Sequence, residues 1–253
     1  MSGHSKWHSI KHKKAKEDAK RGNLFGKLSK SIIVAIRDGG GISDPKDNIT
    51  LANAIAKAKE YNMPQANIER AIKRGTGEIE GENYESIVYE GYGPGGIAII
   101  VEALTENRNR TASDVRNTFA KYGGNLGESG SVSWQFERKG LIVVEKSVVK
   151  DEEGFMLQAI DYGAEDIGEA DDVFEVKVDP ADFIRVKESF QDNDIKINTS
   201  EIGLIPKSTL ELSLDEGKKA MRLINALEEH DDIQNVHSNI ELSQEILDAV
   251  DEG

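Results

Sequence analysis

Apolar residues recur with a helical period over the first third of the chain and with a strand period over much of the rest. From Asn23 onward, Leu24, Leu28, Ile32 and Ile36 return every four residues, with Phe25 and Ala35 beside them. That spacing predicts an amphipathic helix, stopped at Gly39-Gly40-Gly41. A second helix is expected after Asp47-Asn48, with Leu51, Ile55 and Ala58 on one face. Asn62-Met63-Pro64 breaks it. Pro64 suits the first turn of a third helix that carries Ile68, Ala71 and Ile72 and ends at Gly75. Three short helices with one apolar face each make a small bundle. Residues 1–22 lack this periodicity and read as an arm.

Residues 76–83 have the composition of a linker, and strand patterns follow. Ile87, Val88 and Tyr89 precede a glycine cluster, and Ile97 to Leu104 form a buried run. A helix is expected from Thr111, with Asp114 three residues on as a capping box and Val115, Phe119 and Tyr122 as its apolar positions. A strand is expected over roughly 130–136. Residues 139–203 spell β-α-β-β-α-β, the order of a ferredoxin-like split βαβ sandwich. A strand at Leu210-Leu212-Leu214, a helix with Ala220, Leu223, Ile224 and Leu227, and a strand with Val236, Ile240 and Leu242 follow. Joining the segments on either side of 139–203 makes a second sandwich. The expected fold class is therefore α+β: an N-terminal three-helix bundle plus two ferredoxin-like α/β sandwich domains, one inserted in the other. The units are the arm 1–22, a helical domain 23–76, an α/β domain 77–137 with 207–246, and an inserted domain 138–206.

Charge divides the chain along the same lines. Met1 to Arg74 hold 16 Lys/Arg against 7 Asp/Glu, a net +9, whereas the other 179 residues hold 16 against 39, a net −23. The overall −14 hides a basic module. Concentrated positive charge needs a counter-charge, and a polyanion supplies it with release of condensed counterions. There is no Cys, which excludes disulfides, thiolate zinc sites and cysteine nucleophiles. No window reaches 18 consecutive apolar residues, and the N-terminus has no apolar signal region. A cytoplasmic protein without membrane attachment is expected.

The basic residues carry the functional signal. The arm supplies Lys6, Trp7, His8, Lys11, Lys13, Lys14, Lys16, Lys20 and Arg21, with Trp7 available for stacking on bases. Lys27, Lys30 and Arg37 fall on one side of the first helix. Asn67, Arg70, Lys73 and Arg74 belong to the third, with the three cations sharing a face. Arg108 and Arg110 sit just before the helix expected at Thr111, where they either flank an anion site or pair with Glu102, Glu106 or other acids. Other motifs have plainer explanations. Gly91-Tyr92-Gly93-Pro94-Gly95-Gly96 matches a dinucleotide fingerprint in spacing, but a strand follows it where a helix is required. His4, His8 and His12 are four apart, yet lysines surround them and oppose a dication. The carboxylates of 151–153, 165–172 and 228–232 read as solvated faces, and His230 and His237 as surface residues. Nothing points to catalysis, a metal or a cofactor.

Met1 to Lys14, Asn62-Met63-Pro64 with Asn67 to Ile72, Tyr89 to Gly96, and Thr105 to Thr111 together resemble the YebC/PmpR family over essentially the whole chain. The resemblance implies three domains around a cleft and no catalytic activity. It also implies either a DNA-binding transcriptional regulator or a ribosome-associated translation factor that binds rRNA and relieves stalling at proline-rich stretches. A monomer is expected. An enzyme or small-ligand protein using the cleft is the third possibility, marked by perturbed carboxylates or His within it. Replacing Lys11, Lys13 and Lys14 by Glu should weaken nucleic-acid binding and leave the melting temperature unchanged, as measured by parallel titration and thermal scans.

Overall fold

A computed structural model describes residues 21–170 and 172–251. Three helices come first: α1 (Arg21–Asp38), α2 (Ile49–Glu60) and α3 (Gln65–Gly75). Their apolar faces meet around Ile32, Ile36, Leu51 and Ile68, all fully buried. Asn48 ties the first two together. Its carbonyl caps α2 by accepting from Leu51 N at 3.0 Å, and its amide donates to Ala35 O and Ile42 O at 2.9 and 3.0 Å. Gly75 lets α3 close on α1, because a Cβ there would lie 2.8 Å from the Ile36 side chain.

The second unit is a sheet of β1 (Glu85–Tyr92), β2 (Ala98–Thr105), β3 (Asn125–Leu126) and β9 (Ile233–Ser238), in the order β3-β1-β2-β9. Helices α4 (Arg108–Lys121) and α7 (Leu214–Glu228) cover one face. Ile97, Ile99, Val101, Val115, Phe119, Leu223 and Leu227 form its core. The β1–β2 turn is the glycine motif. Gly95 and Gly96 take φ of +71° and +81°, which only glycine adopts without strain, and Gly93 N donates to Ile97 O at 2.8 Å. The motif is thus a hairpin turn, with no helix N-terminus to hold a phosphate.

The third unit is inserted between β3 and α7. It runs β4 (Phe136–Glu145), α5 (Glu152–Tyr162), β5 (Ala164–Ala170), β6 (Val173–Val178), α6 (Phe183–Asp192) and β7 (Ile197–Pro206). Its strands are antiparallel in the order β5-β6-β4-β7, the ferredoxin-like arrangement. Phe155 packs on Phe174 and Phe190 with ring centroids 5.0 and 5.8 Å apart. A small cluster of Ala98, Ile100, Val132, Phe136 and Leu204 joins this unit to the open face of the second sheet. The protein is α+β, with helices first and two antiparallel sandwiches after.

Several local expectations are corrected. Helix α4 starts at Arg108, not Thr111: Asn107 is the cap, accepting from Arg110 N at 3.1 Å. Residues 133–135 form a 3₁₀ turn rather than a strand, and β4 begins only at Phe136. Leu214 opens α7, so the strand before it shrinks to β8 (Leu210–Glu211). Ile240 leaves β9 for a separate short strand, β10 (Ile240–Glu241), which pairs parallel with β8. The C-terminal segment forms α8 (Gln244–Asp251), whose Ile246 and Leu247 join the second core. Phe119 is fully buried there, so Phe119→Ala should cost about 3–5 kcal/mol. Urea unfolding should show this as a lower midpoint with an unchanged slope.

Candidate nucleic-acid interface

The sequence-predicted cations divide into distinct groups in space. Lys27 and Lys30 of α1 do not face solvent freely. They run along the C-terminal end of α7 and the turn into β9. Asn23 donates to Glu229 O at 3.3 Å, Lys27 Nζ to Glu228 O at 2.6 Å, and Lys30 Nζ to Asp231 O at 3.2 Å. A helix C-terminus presents unpaired carbonyls and partial negative charge, so lysines satisfy it by hydrogen bond and by field. Ser31 adds a bond to Gln234 Oε1 at 3.2 Å. The side of the first helix that carries Lys27 and Lys30, read from the sequence as a basic face, is therefore a docking face between the first two units.

Asp232 sits at the centre of this contact and is almost fully buried. Its Oδ1 accepts from Lys30 Nζ at 2.7 Å, while its Oδ2 lies 2.8 Å from Thr111 Oγ1 and 3.2 Å from Thr105 Oγ1. Arg110 approaches the same oxygen at 3.5 Å and also pairs with Glu106. The Asp232 carbonyl accepts from Leu104 N at 2.8 Å, and its N–H donates to His230 Nδ1 at 3.1 Å. Burial pushes the carboxyl pKa up, but the Lys30 ammonium and the Thr111 hydroxyl outweigh it and bring the group down to about 2. Sequence reasoning missed this residue because it placed 228–232 on a solvated face; only the fold brings Thr105, Thr111 and Lys30 to it. His237 is likewise buried, 3.2 Å from Glu102. Burial again opposes the charge of Glu102, yet His237 and Asn235 hold that carboxyl at about 2.

Arg37 donates to Glu82 O at 2.8 Å. Arg70 and Lys73 stand exposed on α3, Asn67 is half-buried beside them, and Arg74 is half-buried against Gly81. Arg108 is exposed in the first turn of α4. Arg110, by contrast, is paired with acids, which is the second of the two readings its sequence context allowed. Lys6, Trp7, His8, Lys11, Lys13, Lys14, Lys16 and Lys20 lie outside the described residues, as does the side chain of Arg21. Between the helical unit and the second sheet opens a cleft of about 560 Å³. Tyr84, Glu106, Asp114 and His230 line it with the Lys30–Asp232 pair. Its surface is mostly acidic, so it disfavours phosphate, whereas the outer face of α3 presents Arg70 and Lys73 to solvent. Among the described residues, no group of three or more His, Asp or Glu is placed to hold a metal ion, and no helix is long and apolar enough to cross a membrane.

Residues 5–78 match the family model of the TACO1/YebC protein N-terminal domain, and residues 84–240 that of the TACO1/YebC second and third domain. The chain belongs to the TACO1/YebC family. A protein of Natranaerobius thermophilus is 50% identical, matching 98% of this chain and 100% of its own length. One from Persephonella marina is 54% identical over 99% of this chain and 100% of its own. Both bear the name "Probable transcriptional regulatory protein". The crystal structure of a conserved hypothetical protein from Aquifex aeolicus superposes with a TM-score of 0.79 at 48% identity, covering 91% of this chain and 94% of that one. The two family models meet at residues 78–84, the segment that leads from α3 into β1 and past the Asp232 contact.

In this TACO1/YebC chain the Lys30–Asp232 contact should be the acid-sensitive joint. The folded Asp232 carboxyl is more acidic than the unfolded one. Its contribution is complete above the ordinary value of 3.8 and is lost as pH falls through about 2. Removing one partner of a buried pair leaves the other uncompensated, so Asp232→Ala should destabilise by about 3–5 kcal/mol. The same change should speed proteolytic cleavage between residues 76 and 84, read by gel at neutral pH.

Proposed function

We propose that this chain is a non-enzymatic, nucleic-acid-binding regulator of gene expression, acting in the cytoplasm as a monomer and without a cofactor. Within that class, the names of its relatives speak for transcriptional regulation, and we take duplex DNA as the target. One observation carries the reading: the excess positive charge of the chain is confined to the first 74 residues, and Arg70 and Lys73 remain exposed on α3 while Lys27, Lys30 and Arg37 of α1 are committed to structural contacts. An amphipathic helix with its apolar side in the bundle and Arg and Lys outward suits a phosphate backbone. Asn67 and Arg70 on its surface have the chemistry to reach base edges. The acidic remainder of the chain repels the same polyanion and directs the basic end to it. Lys27 and Lys30 take no direct part in this proposal, since their charge serves the docking of α1.

Quantitative binding to duplex DNA tests it. Lys73→Ala should weaken binding to all sequences equally and lower the salt slope by about 0.9 for each phosphate that is no longer neutralised. Arg70→Ala should reduce discrimination between target and random duplex by about 1–3 kcal/mol. Neither change should shift the melting temperature, whereas Lys30→Ala should shift it and leave the salt slope alone. A preference below roughly tenfold for any promoter over random duplex would remove the sequence-reading role. Loss of ribosome co-sedimentation by the same α3 variants would then assign the protein to translation.

A further inference from the structure

The loop between β3 and β4 buries Val132 at the joint of the second and third units and makes no part of the basic helices. It holds Trp134 out in solvent, 67% exposed, an unusual place for the largest apolar side chain. The loop is built to keep it there. Glu90, almost fully buried on β1, accepts from Gly130 N at 2.7 Å and from Val132 N and Ser133 N at 2.8 Å. Burial opposes this charge, and the three backbone N–H groups overcome it, holding the carboxyl below its ordinary value. The carbonyl of Ser131, inside the clamped loop, then receives two donors: Tyr92 OH at 3.0 Å and Trp134 Nε1 at 3.1 Å. Both polar tips are satisfied by one atom, so the polar ends of the two side chains converge on the clamped loop. Tyr92 is 38% exposed. A cation joins them, for Lys207 Nζ donates to the Trp134 carbonyl at 2.9 Å.

We infer that Tyr92, Trp134 and Lys207 form a stacking platform for unpaired bases of single-stranded nucleic acid. Two rings with their hydrogen-bonding ends already used have only their faces to offer, and every base has a face to match. The ammonium supplies the phosphate contact that stacked bases bring with them. Pre-orienting the rings through Glu90 removes much of the ordering cost of binding. A duplex keeps its bases stacked inside and cannot use such a platform, so this surface answers to loops, ends or opened strands. The platform lies outside the basic module, on residues that follow the helical unit in the chain. The inference rests on the reading of the chain as a nucleic-acid binder.

The full chain with Trp7→Phe leaves Trp134 as the sole tryptophan, since the sequence has two. Its fluorescence should be quenched by a single-stranded dodecamer of mixed sequence, RNA or DNA, and not by a duplex of equal length. Trp134→Ala should weaken single-strand binding by roughly 5- to 150-fold and leave duplex binding unchanged. Trp134→Phe should restore most of the affinity, because it keeps a ring. Melting temperature is the folding control, and an exposed side chain should not move it. Equal single-strand affinity for Trp134→Ala and the parent would overturn this platform while leaving the proposed function standing. Binding of neither single strand nor duplex by the parent would overturn both. Quenching by a proline-rich peptide but not by the oligonucleotide would also overturn it, and would assign the rings to protein recognition.

Discussion

A buried carboxylate, Asp232, holds the helical unit against the second sheet. Three of the elements that meet at the junction touch it: Lys30 from α1, Thr105 at the end of β2 with Leu104 through the backbone, and Thr111 and Arg110 from α4. A charge taken out of water is tolerable only when its oxygens are fully used, which makes this arrangement stringent. It sets where α1 lies on α7, and hence which way α3 faces. The lysines around it serve the same end. Lys27 and Lys30 answer the exposed carbonyls of α7 and the turn after it, so the orientation of the basic unit is fixed by the very residue type that gives it its charge.

That division of labour changes how the charge segregation is understood. A count of Lys and Arg treats all of them as available to a polyanion. In the fold, part of the +9 is committed internally, Lys30 to the Asp232 carboxylate and Lys27 and Arg37 to backbone carbonyls of Glu228 and Glu82. The exposed remainder on α3 is smaller but better defined in direction. The cleft at the Lys30–Asp232 junction is mostly acidic, and its field, like that of α3, is short-ranged at physiological salt.

The two carboxylates Asp232 and Glu90 do comparable work in different places. Each is buried, each is held ionised against the cost of burial by several donors, and each fixes a segment that would otherwise be a free loop. One orients a domain. The other orients a pair of aromatic rings. A chain with 46 acidic residues can hide such roles easily, because the solvated carboxylates outnumber the structural ones and look the same in one dimension.

The sequence by itself determined the class of fold, the three helices, most of the strands and the family, because periodic burial writes itself into residue spacing and the glycine and proline stops mark where elements end. It also determined the opposite signs of charge in the two parts of the chain, which no folding can alter. Tertiary structure alone decided the rest. The cap at Asn107 displaced the one expected at Thr111 because the Thr111 hydroxyl is drawn into the Asp232 cluster, a contact across 121 residues. Lys27 and Lys30 met carbonyls instead of phosphates for the same reason: spacing along a helix tells which side chains share a face, but only packing tells what that face meets.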